Sequence, residues 1–170
     1  MKAIVLFIAL LLNSSIYAQS QQDIKDRYWY LTKLEINNQI YNRPVNTEAN
    51  TKNINFYMTE ITQFNTYLQA WVVFCYGYDM DSVVLDEQSQ VFYCEGFATL
   101  AFPQDCNLQE NNDFDVLHTS FWVEIDNTRD SHLNPFRFDY EVIEVSNGLE
   151  LIITNESGDK AYYNDVTASA

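Results

Sequence analysis

Glycine and basic residues are scarce in this chain of 170 residues. It has only 4 glycines, too few to support a glycine-rich loop that cradles phosphate groups. Lysine and arginine number 9 against 24 aspartates and glutamates, which gives a net charge of -15. Because proteins neutralise nucleic-acid phosphates with basic side chains, this composition argues against a nucleic-acid partner and against an anionic membrane surface.

Several motifs that carry enzyme chemistry are also missing. The sequence contains no Gly-x-Ser-x-Gly and no His-Glu-x-x-His. It has no Cys-x-x-Cys, and His118 and His132 lie far along the chain, so we expect neither a metal nor a cofactor. We therefore expect that the protein is not an enzyme.

Carboxylates do cluster, for example at Asp79-Met-Asp81 and Asp113-Phe-Asp115. With 24 acids in the chain, such clusters arise by chance, and solvated turns are favoured over calcium binding. A pair of carboxylates at a suitable separation hydrolyses glycosidic bonds, so a carboxylate-based hydrolase is the third-ranked functional class.

The N-terminus has the pattern of a secretory signal peptide. Lys2 precedes an apolar run, Ala3 to Leu12, and small residues lead to an expected cleavage site after Ala18. No cysteine near that site supports lipoprotein attachment, and no second apolar run is long enough to span a bilayer. We expect a secreted or periplasmic protein with a signal peptide over residues 1–18.

Short strand patterns dominate the chain after a loose polar leader, residues 19–27. Tyr28 to Ile36 is rich in β-formers, Asn37-Asn38 is a turn signal, and residues 42–53 resemble a surface loop. Later pairs of strands flank Glu95-Gly96 and Asn147-Gly148. The other strand candidates are Ile40-Tyr41, Ile54–Met58, Ala70–Tyr76, Ser82–Leu85, Gln90–Cys94, Phe97–Phe102, Phe136–Val142, Leu149–Thr154 and Lys160–Tyr163.

One segment has helical periodicity. Phe114, Leu117, Phe121, Trp122 and Ile125 recur at helical spacing, which predicts a short helix over about 112–125. The sequence thus predicts a mainly β fold, an antiparallel barrel or strongly curved sheet with one short helix. We expect one domain over residues 28–165 and a short tail over 166–170.

The order of these features resembles the META/HslJ-like domains and the related lipocalin-like domains of Bacteroidetes secreted proteins. The resemblance covers about residues 28–165 and is carried by WYLTKLEI (29–36), Cys75, Cys106, Glu110, Phe114 and LELIITNESGDKAYY (149–163). Phe74-Cys75-Tyr76 departs from the Gly-Cys-Asn of the META pattern and favours the lipocalin-like relatives. The resemblance implies a fold rather than an activity. Many relatives carry a C-terminal sorting domain, which we do not expect after Ala170.

The three cysteines allow three single disulfide pairings in an oxidising compartment. The resemblance implies the pairing Cys75–Cys106. Cys94, in an aromatic strand, is then expected to be a buried apolar filler. A structural disulfide is favoured over a metal site.

Aromatic residues, 15% of the sequence, are the remaining functional signal. In a small barrel they fill the interior or line a ligand cup. If a cup exists, we expect Trp29 and Trp71 to form its wall, because large flat side chains supply contact area to apolar ligands. The sequence predicts a non-catalytic module whose partner is a small hydrophobic ligand. The alternative is an envelope or extracellular interaction protein with a filled barrel and a protein partner.

We predict that the exported protein begins near Gln19, because the first eighteen residues have the charged, apolar and small-residue order of a signal peptide. N-terminal sequencing of the protein recovered from the producing cell checks this expectation. Recovery of the mature protein with Met1 in place would contradict it.

Overall fold

The computed structural model describes residues 24–51, 56–63, 66–99, 106–123 and 130–165. The predicted signal peptide, Gln19 and the predicted tail over 166–170 lie outside the described residues. The described part contains two helices, α1 (Thr47–Thr51) and α2 (Gln109–Trp122). Its strands are β1 (Tyr28–Ile36), β2 (Gln39–Asn42), β3 (Phe56–Ile61), β4 (Tyr67–Val73), β5 (Gly77–Asp86), β6 (Val91–Cys94), β7 (Gly96–Thr99), β8 (Phe136–Val145), β9 (Gly148–Thr154) and β10 (Lys160–Asp165).

Eight of the strands form a closed antiparallel barrel. Their order is β10-β9-β8-β6-β5-β4-β3-β1, and β1 pairs again with β10 to close the ring. The two extra strands extend the wall: β2 pairs with β1, and β7 pairs with β5. The predicted mainly β fold, an antiparallel barrel with a short helix, is confirmed.

The tight turns follow from residues that tolerate a positive φ. Asn37 and Asn38, at φ 52° and 63°, join β1 to β2, as expected for a two-residue hairpin turn with both central residues left-handed. Gly158, at φ 83°, lies in the turn between β9 and β10. The predicted C-terminal pair of hairpins, β8–β9–β10, is confirmed.

The predicted hairpin around Glu95-Gly96 is wrong. Within the described residues, β6 and β7 each pair with β5 and not with each other, so they act as one long strand with a bend. The bend is stabilised where the Glu95 backbone N–H donates to the Asp81 carbonyl at 2.9 Å, beside Ser82 at φ 52°. The sequence signal Glu95-Gly96 is compatible with two structures, because a glycine after an acid occurs at irregularities within strands as well as in turns.

Other differences concern boundaries. The helix predicted over 112–125 runs from Gln109 to Trp122, and the short helix α1 lies inside the segment 42–53 that was expected to be a loop. The β4–β5 turn comes at residues 74–76 rather than at 77–79, because the Phe74 N–H bonds the Tyr76 carbonyl. β5 therefore begins at Gly77 and includes Asp79.

Helix α2 fills one end of the barrel, which we call the helix end. Its Trp122 ring stacks on Phe56 with 5.7 Å between centroids, and Phe121 and Trp122 both pack against Phe138. Phe114, nearer the start of the helix, packs edge-on against Phe74. Each such aromatic pair contributes about 0.5–1.5 kcal/mol beyond the burial of its area.

The opposite end, which we call the open end, is partly covered by residues 24–27. These residues were expected to belong to a loose polar leader, but Ile24 is fully buried and its carbonyl accepts a 3.1 Å bond from the Trp29 indole. The Asp26 N–H donates to the Met58 carbonyl at 2.7 Å. The four residues before β1 therefore belong to the packed part of the described chain.

Helix α2 is held in place by contacts distant in sequence. Its N-cap residue, Leu108, makes no side-chain cap bond, and Glu48 of α1 accepts from the backbone N–H groups of Asn107 and Leu108 at 2.6 and 3.0 Å. A disulfide joins Cys75, after β4, to Cys106, before the helix, with 5.3 Å between their Cα atoms. This pairing is the one that the family resemblance implies. A disulfide closing a loop of this size stabilises by about 3–4 kcal/mol in the chain-entropy model.

The cap at Glu48 predicts an acid-dependent stability. The two backbone N–H bonds, with Asn111 and Asn107 side-chain bonds, lower the pKa of Glu48 to about 2 from 4.5. A carboxyl whose pKa falls on folding stabilises the protein above its unfolded pKa, and this contribution is lost as the pH drops toward 2. We expect Glu48→Gln to lower the Tm at pH 7, with the difference from wild type shrinking between pH 4.5 and pH 2.

Thermal unfolding followed by circular dichroism across that pH range measures the effect. Glu144→Gln, at an exposed position at the end of β8, is the matched control and should change the Tm little at any pH. A Tm difference for Glu48→Gln that is constant with pH would contradict the capping role.

Candidate ligand-binding site at the open end of the barrel

The two tryptophans expected to form one cup wall lie on opposite faces of the sheet. Trp29 is fully buried inside the barrel. Trp71 lies on the outer face, where it stacks on Tyr57 at 5.3 Å, and Tyr57 stacks in turn on Tyr28 at 4.7 Å. The structure therefore does not bring Trp29 and Trp71 together in a shared site.

The barrel interior near the helix end is filled by side chains. Phe56, Phe92, Trp122 and Phe138 form a connected set of ring contacts. The space beside Trp122 and Phe138 measures about 10 Å³, which is at most the room of one water molecule. Cys94 is buried in the same interior and lies outside the disulfide. No room for an organic ligand exists at this point of the barrel.

His118 is a structural residue of this filled end. Burial, helped by the charge of Arg43, lowers its pKa to about 3, so the imidazole is neutral at physiological pH. The Trp122 indole donates to its Nε2 at 3.1 Å, and the Tyr163 hydroxyl lies 3.4 Å from the same atom. The ring nitrogen that a general base would use therefore accepts a bond from the core.

The open end contains a hollow of about 440 Å³. Its floor is a row of cross-strand neighbours, in which Leu68 of β4 pairs with Glu60 of β3 on one side and with Val83 of β5 on the other. Leu85 continues the apolar wall two residues along β5. Because paired residues share a face of the sheet and Val83 is buried, this row points to the interior side of the wall. We call this site the open-end hollow.

Charged side chains surround the apolar floor. The Lys25 ammonium forms a 2.9 Å ion pair with Glu87 at the edge of the hollow. Glu60 is exposed and makes no hydrogen bond or ion pair with any other residue that the structure describes. The hollow thus combines aliphatic walls with one carboxylate that is open to a ligand.

Tyr140 of β8 is a further buried polar residue. Only 4% of the residue is exposed, and its hydroxyl has no hydrogen-bond partner within the described residues. Burial, with the charges of Glu87 and Asp86, raises its pKa to about 12. Tyr140 does not line the open-end hollow and lies instead at a polar groove on β8 and β9.

A second groove, of about 320 Å³, lies on the outer face of β8 and β9. Its lining is mostly polar, with Asp139, Glu141, Thr154 and Lys160 alternating outward along their strands. This groove offers little apolar surface that an apolar ligand could bury on binding. The open-end hollow is the better candidate.

The sequence contained part of the signal for this hollow. Val83 and Leu85 lie in the predicted strand Ser82–Leu85, whereas Leu68 precedes the predicted start of β4 at Ala70. Alternation alone did not identify them as binding residues, because it does not show which end of a barrel stays open.

Among the residues that the structure describes, the carboxylate clusters do not assemble into a metal centre. No group of three or more potential ligands converges within the described part of the chain. Asp79 instead accepts a bond from the Gln69 side chain at 2.9 Å, and burial raises its pKa, with a smaller contribution from Asp81. Among the described residues, no helix is both long and apolar enough to cross a bilayer.

The Tyr140 hydroxyl generates a stability prediction. A buried hydroxyl without a partner costs about 1–3 kcal/mol, so Tyr140→Phe should raise the unfolding free energy by about 1 kcal/mol. Tyr163→Phe, which removes a hydroxyl that contacts His118, is the control and should not stabilise. Urea denaturation at pH 7 measures both. Destabilisation by Tyr140→Phe would show that the hydroxyl is hydrogen-bonded in solution.

Comparison with known proteins supports the fold alone. No family model matches the chain, and no curated protein matches it. The chain is similar to the NMR structure of a protein from Burkholderia xenovorans, with a TM-score of 0.52, 14% sequence identity and coverage of 86% of each chain. This similarity is consistent with the β-barrel implied by the META/HslJ-like and lipocalin-like resemblance, and it assigns neither family.

Proposed function

We propose that this protein is an exported, non-catalytic module that binds a small apolar ligand in the open-end hollow. The observation that carries the proposal is the cross-strand pair Leu68–Val83 beneath a hollow of about 440 Å³. That volume is in the range of small-molecule sites, which are concave and mostly apolar with a few polar groups.

The scaffold around the hollow supports a binding role. Leu68 belongs to a strand of the closed barrel and is paired on both sides, with Glu60 of β3 and Val83 of β5, so backbone pairing fixes its position. Sites built on strands hold their side chains more rigidly than sites on loops, which lowers the entropy lost on binding.

The burial and the bonding of the ionisable groups favour a non-catalytic role. His118 is buried, neutral and bonded to Trp122, and the Asp115 carboxylate accepts the backbone N–H of Cys75 at 2.9 Å. Both groups support the packing of helix α2. The groups near the hollow, Lys25 and Glu87, neutralise each other rather than flank a nucleophile.

Export is supported by the Cys75–Cys106 disulfide, because disulfides persist in oxidising compartments and are rare in reducing ones. The signal-peptide pattern of residues 1–18 points the same way.

A second candidate function is an envelope or extracellular interaction protein. The filled helix end and the outer stack of Tyr28, Tyr57 and Trp71 favour it, because half of Tyr28 is exposed and aromatic side chains are enriched at protein interfaces. In that case the open-end hollow would bind no apolar molecule.

A fluorescent apolar probe distinguishes the two functions. We expect the neutral dye N-phenyl-1-naphthylamine to bind saturably and 1-octanol to displace it. Leu68→Gln should weaken the binding about tenfold, since losing a buried leucine contact costs about 1.5 kcal/mol. Leu133→Gln is the matched control, because Leu133 is 85% exposed on a loop away from the hollow. Absence of saturable binding, or equal effects of the two substitutions, would support the interaction-protein alternative.

A further inference from the structure

We infer that the molecule bound in the open-end hollow has an apolar body and a single cationic amine head, which interacts with Glu60. This inference rests on the proposed function and adds the chemical class of the ligand.

The position of Glu60 is the first argument. Glu60 and Leu68 are directly paired across β3 and β4, so the carboxylate lies beside the aliphatic floor on the same face of the sheet. Directly paired side chains lie about 5 Å apart at their Cβ atoms. One short ligand therefore reaches both groups, with its apolar body on Leu68 and its head at Glu60.

The charges around the hollow are the second argument. Its lining contains one cation, Lys25, and two carboxylates, Glu60 and Glu87. Lys25 is engaged by Glu87, which leaves Glu60 as the charge available to a ligand. Asp86, next to Glu87 at the end of β5, makes the surroundings more negative. An anionic head group would meet repulsion here, whereas an ammonium group neutralises the excess charge.

The field of the whole protein acts in the same direction. With a net charge of -15, the protein raises the local concentration of cations and speeds their association. This long-range attraction is screened by salt, whereas the contact with Glu60 remains at the site. A neutral apolar molecule gains from neither effect.

Three molecules with the same alkyl chain test the inference. Octylamine, 1-octanol and octanoate differ only in the charge of the head group at pH 7. We expect titrations followed by ¹H–¹⁵N NMR at low ionic strength to show octylamine binding at least about tenfold more tightly than octanol. A tenfold ratio corresponds to about 1.4 kcal/mol, the scale of a charge-assisted contact. Octanoate should bind most weakly, and backbone shifts should centre on Leu68, Val83 and Leu85.

Two variants locate the effect. Glu60→Gln keeps the size of the side chain and removes its charge, so it should reduce octylamine affinity to that of octanol and leave octanol affinity unchanged. Glu144→Gln removes the same charge from a residue that does not line the hollow, and should preserve the amine preference.

The outcomes separate the inference from the proposed function. Equal binding of all three molecules at the hollow, or an amine preference that survives Glu60→Gln, would overturn the cationic head and leave the apolar site intact. Binding of none of the three would overturn both. Shifts from octylamine spread over acidic surfaces away from Leu68 would identify nonspecific attraction and also overturn the inference.

Discussion

The short seam between β1 and β3 in the barrel wall is the constraint on which the rest of the structure depends. Among the described residues this seam has two residue pairs, Tyr28 with Tyr57 and Trp29 with Phe56. The outer pair is stacked, and the inner pair belongs to the aromatic core. Since so short a ladder supplies few backbone bonds, packing on both sides of the sheet holds the ring closed. Helix α2 contributes directly, because Trp122 stacks on Phe56.

This way of closing the barrel divides its interior between two roles. The aromatic rings that pack on Phe56 inside the barrel fill the helix end, so an organic ligand cannot enter there without displacing Trp122 or Phe138. The aliphatic residues Leu68 and Val83 lie toward the other end, where the open-end hollow leaves space beside them. The fold thus separates a filled half from a half that contains a hollow, whose lining includes the carboxylates Glu60 and Glu87.

The sequence predicted the architecture better than the site. Alternation in Phe136–Val142 and the Asn147-Gly148 turn are local signals, and they identified the C-terminal meander correctly. The bend at Glu95 and the cap from Glu48 to Leu108 depend on contacts far apart in sequence, so no local pattern showed them. Trp29 and Trp71 were predicted to form one cup wall because their side chains are large. The strand register instead places them on opposite faces of the barrel wall. A shift by one residue reverses the face of a side chain.

Cys94 has a consequence for how the protein is made. In an oxidising compartment, a chain with three thiols can form three different single disulfides, and thiolate attack interconverts them for as long as the third thiol is accessible. In the folded protein Cys94 is fully buried, so it cannot attack the bond between Cys75 and Cys106. The correct linkage is therefore protected kinetically once β6 has joined the barrel. Before that step, the order of oxidation and folding determines the yield, and a thiol-disulfide isomerase would recover the chains that oxidised too early.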